Sequence, residues 1–144
     1  MIIRKATKKD FNELFMIIKE EYGKPPYKER WAKPNAFKTL DYYSKRGKIY
    51  VAEIDGKVIG LLVIHLDVYN TGAQMDIKEL AVKSKFHGKG IGKALIKKAE
   101  EVARKNKANM IYLTTSLDAP AFHFYKKMGY IPSKKTVFFR KFLK

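Results

Sequence analysis

The residues in this 144-residue chain best placed to do chemistry are the run His87-Gly88-Lys89-Gly90-Ile91-Gly92-Lys93. Glycines let backbone N–H groups approach an anion without Cβ interference, and a helix opening there adds about half a positive charge at its N-terminus. Such a turn suits a pyrophosphate. Two commoner phosphate loops do not match: a dinucleotide site wants Gly-x-Gly-x-x-Gly, and a Walker loop wants Ser or Thr after Gly-Lys, where Ala94 stands. The chain has no cysteine, so a disulfide, a thiolate metal site and a covalent thioester on the protein are all excluded.

The elements that must hold this turn can be read from periodicity. Met1 to Ala6 reads as a strand, and Thr7 with Asp10 opens a helix from Lys8 to Glu21 along the stripe Phe11, Leu14, Phe15 and Ile18. Gly23, Pro25, Pro26 and Pro34 break regular structure, and a second helix covers Asn35 to Lys45. Ile49 to Ile54, Asp55-Gly56 and Lys57 to Asp67 form a hairpin signature, because Asp-Gly tolerates the positive φ angles of a tight turn. A strand from Gln74 to Val82 extends the sheet and leads into the glycine run. From Gly90 to Lys105, Ile91, Leu95, Ala99, Val102 and Ala103 recur at helical spacing. Met110 to Thr115 then reads as a parallel strand, giving a right-handed crossover. Asp118 caps a last helix ending at Gly129, and short strands at Tyr130–Ile131 and Thr136–Phe142 follow. No repeat or linker interrupts the chain, so residues 1–144 are expected to form one domain.

Composition sets the partners. The 31 Lys and Arg against 14 Asp and Glu give a formal net charge of +17, a field that attracts anions. Nucleic acid, an acidic membrane surface and a phosphorylated cofactor all fit that field. No nucleic-acid motif is present and the lysines are spread over every segment, so nucleic acid is not the expected partner. The apolar runs fall well short of the ~20 residues of a membrane span, and no signal layout opens the chain, so a cytoplasmic protein without membrane association is expected. His65, His87 and His123 lie on separate elements without metal-site spacing, so no metal is expected.

His87, Gly90 and Gly92 resemble the signature of the GNAT superfamily of N-acetyltransferases: Arg or Gln, two residues, Gly, one residue, then Gly or Ala. His87 departs from it. Asp118, Ala121, Phe124, Tyr125, Lys127, Gly129 and Tyr130 resemble the family's late helix, with Asp118 standing where Asn is usual. The resemblance implies a mixed α/β (α+β) fold, a mostly antiparallel central sheet of about seven strands with about four helices. It further implies an acetyl-CoA-dependent N-acetyltransferase that moves the acetyl group directly to a primary amine, of a small molecule or of a protein. Leu80, Ala81 and Val82 would hold the pantetheine arm and the amides from Gly88 through Lys89, Gly90, Ile91 and Gly92 to Lys93 the pyrophosphate. His87, Asp118 and Lys126 would lie beside the cofactor.

An alkyl amine has a pKa near 10.4 and must lose a proton before attacking a thioester. Asp76 and Glu79 are the candidates to take it. Their opposite parity would send them to opposite faces of a regular strand, so one of the two is expected to face the substrate. Tyr125 occupies the position at which the resemblance implies an acid for the departing thiolate. Tyr22, Tyr27 and Trp31 stand where the resemblance implies the acceptor-side loop, and would line a slot for a cationic or apolar substrate. A CoA-binding sensor without turnover and a basic nucleic-acid-binding module are the competing readings, and an edge strand such as Thr136–Phe142 offers a surface for a homodimer.

Overall fold

The computed structural model describes residues 1–143 and contains a mixed five-stranded sheet with four helices. In chain order these are β1 (Ile2–Lys5), α1 (Phe11–Tyr22), α2 (Lys33–Arg46), β2 (Lys48–Ile54), β3 (Lys57–Tyr69), β4 (Gly72–Val82), α3 (Ile91–Lys105), β5 (Ala108–Tyr112) and α4 (Pro120–Lys127). The sheet order is β1-β2-β3-β4-β5, antiparallel except for the parallel β4–β5 pair made by the α3 crossover. The chain divides into two compact units, Met1–Thr114 and the residues from Thr115 onward, which contain α4.

Local chemistry accounts for most of these elements. The β2–β3 turn takes positive φ at Asp55 (50°) and Gly56 (75°), as its Asp-Gly pair demands. Ahead of α1, a 3₁₀ turn at Lys8–Asp10 is fixed by the Asp10 carboxylate, which accepts from the Thr7 amide at 2.7 Å and pairs with Arg4 at 2.9 Å. On one face of the sheet, Leu14, Ile17 and Ile18 of α1 and Leu40 of α2 cluster with Ile49, Val51, Leu61, Val63 and Ala81. On the other, the buried stripe Leu95, Ile96, Ala99 and Val102 packs α3 against β2 to β5. Gly60 admits that helix closely, since a Cβ there would lie 3.2 Å from Leu95 Cδ1 and 3.3 Å from the Ala81 carbonyl oxygen.

The sheet has five strands rather than about seven. Tyr130–Ile131 and Thr136–Phe142 form no strand, and Ile131, Val137, Phe138, Phe139 and Phe142 are all exposed. β-branched and aromatic residues fit a strand, yet a strand exists only where a partner supplies the ladder, and Pro132 has no N–H to give one. The turn at Asn70 and Thr71 is also tighter than expected, because β3 runs to Tyr69 and pairs through Tyr69 with Gly72.

Candidate active site

Two irregularities of β4 shape the site. The first is an opening. β4 pairs with β5 from Ala73 to Asp76 only, while β4 itself continues to Val82. From Ile77 to Val82 the β5-side edge of β4 therefore carries no ladder among the described residues. Leu80, Ala81 and Val82 lie on this free edge.

The second is a bulge. Val63 pairs with Glu79 but Ile64 pairs with Ile77, so Lys78 is an extra residue in β4. His65 pairs with Asp76, and residues 63 and 65 share a face, so Asp76 and Glu79 share it too. Sequence parity had placed them on opposite faces; the inserted Lys78 resets the alternation. Both carboxylates act on the Tyr43 hydroxyl of α2, which burial and these neighbours push well above its usual range.

Glu79 is partly buried beneath α1 and α2. Burial pushes its carboxyl above the usual glutamate range, partly offset by hydrogen bonds from Tyr22 of α1 and Tyr43 of α2, the latter at 2.9 Å; the Glu29 carboxylate adds to the rise. Asp76 instead pairs with Lys78 at 2.7 Å. The Glu29 amide bonds the Tyr22 carbonyl at 2.8 Å, and its carboxylate accepts from the Trp31 indole at 2.9 Å, folding the α1–α2 segment back beside Tyr22. Tyr22 and Tyr27 meet edge to face with centroids 5.5 Å apart, and both Tyr22 and Trp31 pack against the α1–α2 core. Tyr22 and Tyr27 thus stand together near the carboxylates. Tyr43 and Glu29 were not singled out from the sequence, because only the fold brings them to Glu79.

Beyond Val82 the chain makes a 3₁₀ turn at Ser84–Phe86 and enters the glycine run. Gly88 and Gly90 take φ of 74° and 80°, the left-handed region in which a side chain is strained. Gly90 caps α3, whose first ladder bond runs from the Ala94 amide to the Gly90 carbonyl at 3.0 Å. The amides of Ile91, Gly92 and Lys93 precede that bond and have no acceptor within the helix, at its positive end. His87 sets its Nε2 2.6 Å from the Val82 carbonyl; a carbonyl only accepts, so Nε2 carries the proton. Lys89 lies over the Phe86 ring.

In the second unit, Tyr125 is buried on α4 with the rings of Phe124 and Tyr130 against it. Lys126 lies over the Phe122 ring. Asp118 is not the cap of α4; that position is Ala119, ahead of Pro120, and the Asp118 carboxylate accepts from the Ser116 hydroxyl instead.

The sheet order and the helix arrangement are those of the GNAT class of fold. The model of the acetyltransferase (GNAT) family matches residues 10–130, and the chain belongs to that family. An uncharacterized N-acetyltransferase of Methanocaldococcus jannaschii is 36% identical over 139 residues, spanning 90% of this chain and 78% of its own length. The streptothricin acetyltransferase of Streptomyces lavendulae is 32% identical over 77 residues, 53% of this chain and 40% of that protein. A solved structure of a transcriptional regulator from Bacillus halodurans C-125 shares the fold, with a TM-score of 0.82 over 97% of this chain and 99% of its own, at 24% identity. Among the described residues no helix is long and apolar enough to cross a membrane.

Proposed function

We propose that the protein transfers the acetyl group of acetyl-CoA directly to a primary amine, with Glu79 as the base. The observation that carries this reading is the juxtaposition, on one strand, of the unpaired β4 edge at Ile77–Val82 with a half-buried carboxylate of raised pKa. The pantetheine arm lies along the free edge at Leu80, Ala81 and Val82. The first-turn amides of α3 and the Gly88–Gly90 turn hold the pyrophosphate, and Lys89 and Lys93 add charge. The incoming ammonium gives one proton to Glu79, its nitrogen attacks the thioester carbonyl, and the carbon–sulfur bond breaks to release CoA thiolate; the second proton on nitrogen leaves as the amide forms and balances the one returned to the thiolate. Tyr125 is assigned the proton returned to that thiolate. Asp76, held by Lys78, draws the cationic acceptor toward Glu79.

A raised carboxyl suits this work because a base whose pKa lies above the ordinary glutamate value holds the abstracted proton more firmly. The acceptor is either a small-molecule amine, as the name of the streptothricin relative suggests, or a protein amine. The test is release of free CoA from acetyl-CoA across a panel of small amines, peptides and polyamines, with Glu79→Gln and Tyr125→Phe beside the parent. Amine-dependent release, reduced about 100-fold or more by Glu79→Gln, is expected for loss of a general base. Tight acetyl-CoA binding without release would instead identify a sensor.

A further inference from the structure

We propose that Glu21, in the last turn of α1, is a positioning residue that fixes the pyrophosphate turn relative to Glu79. This rests on the reading of the Gly88–Lys93 turn as the pyrophosphate site. The Glu21 side chain is only 10% exposed and is gripped from three directions. Ser84, 63 residues along the chain, donates its hydroxyl to Glu21 Oε2 at 2.9 Å with Oε1 at 3.2 Å. Lys24 Nζ lies 3.1 Å from Oε2 and also contacts the Ser84 hydroxyl. His87 Nε2 lies 3.4 Å from Oε1 while donating to Val82. Ser84 and His87 bracket the segment between the end of β4 and the glycine turn; Glu21 holds its first end through Ser84, and at its second end lies beside the His87 ring that Val82 anchors.

Electrostatics argues that this placement serves the site. A carboxylate beside a turn meant to attract phosphates opposes their binding, and burying it costs free energy unless every oxygen is satisfied. An apolar contact would anchor a loop without either cost. What a carboxylate provides is a directed hydrogen bond from Ser84, whose hydroxyl meets both of its oxygens, with Lys24 offsetting its charge. The next residue, Tyr22, donates to Glu79. Consecutive helical residues are held rigidly at a fixed angle, and Leu14, Ile17 and Ile18 bury α1 in the core. One helical turn thus grips the cofactor turn with Glu21 and the base with Tyr22, and so sets the offset between donor and base.

The experiment compares binding of CoA and of pantetheine, which lacks the phosphates, by calorimetry for the parent, Glu21→Gln and Ser84→Ala. Melting temperatures are measured alongside, as are KM and kcat for acetyl-CoA where turnover is found. Loss of the charged bonds predicts CoA binding weaker by about tenfold for Glu21→Gln. Pantetheine binding stays at the parent value, and the acetyl-CoA KM rises more than kcat falls. Ser84→Ala shifts the same quantity in the same direction. Equal weakening for both ligands, or no change for CoA, would overturn the assignment of Glu21. If the parent binds pantetheine as tightly as CoA, the pyrophosphate reading itself fails and the proposal falls with it.

Discussion

At the scale of single residues, the site depends on how Glu79 is held. Burial raises its pKa, while the hydrogen bonds of Tyr22 and Tyr43 stabilise the carboxylate and lower it. Removing the Tyr43 hydroxyl takes away one lowering contribution and moves the titration further up. The acid limb of kcat/KM against pH should therefore sit above the ordinary glutamate range in the parent, shift upward in Tyr43→Phe, and disappear in Glu79→Gln. A downward shift in Tyr43→Phe would show that the hydroxyl does not serve the ionised form. Stability has the complementary sign. The folded state binds the Glu79 proton more tightly than the unfolded chain, so this group favours folding below the ordinary glutamate value and that contribution is lost as pH rises through the folded one. Glu79→Gln should accordingly melt at or above the parent temperature at neutral pH, provided the tyrosine hydroxyls find the amide oxygen.

Elements decide which of these residues could be foreseen. The helix periodicities and the Asp55-Gly56 turn are local signals, and they located four helices and five strands. The bulge at Lys78 is not local: it is defined by two pairings with β3, and without it parity separates Asp76 from Glu79. The Tyr43–Glu79 bond spans 36 residues and Ser84–Glu21 spans 63, so neither could be read from spacing. The two strands expected after Gly129 fail for a related reason, since pattern alone cannot furnish their partners. One local signal has a measurable consequence for α1. Asp10 is 5% exposed, and the Arg4 guanidinium above all holds its carboxyl below the usual aspartate range. Asp10→Asn should cost about 2 kcal/mol by urea unfolding at neutral pH, the size of a charged, part-buried hydrogen bond. Because the folded pKa is lowered, the carboxylate's contribution is present above the ordinary aspartate value and lost as pH falls through the folded one. The gap between variant and parent should narrow in acid; a constant gap would assign the loss to packing.

For the whole molecule the governing quantity is a net charge of +17 around a site built on carboxylates. On the function proposed above, the general field would attract the polyphosphate donor at long range and oppose a cationic acceptor, which would gain from Glu79 and Asp76 only once it is close. Added salt screens exposed charges over a Debye length of about 10 Å at 0.1 M, so it weakens the field between distant charges far more than the contacts inside the site. The two substrates should therefore respond differently. With amine saturating, kcat/KM for acetyl-CoA should fall as ionic strength rises from about 0.02 to 0.3 M, a range in which screening passes from slight to nearly complete. With acetyl-CoA saturating, kcat/KM for a cationic amine should rise or stay level, and kcat should hold in both series. Parallel declines would show that the acceptor is drawn by local negative potential strong enough to outweigh the net charge, and would place free polyamines or lysine-rich peptides first among the acceptors to test.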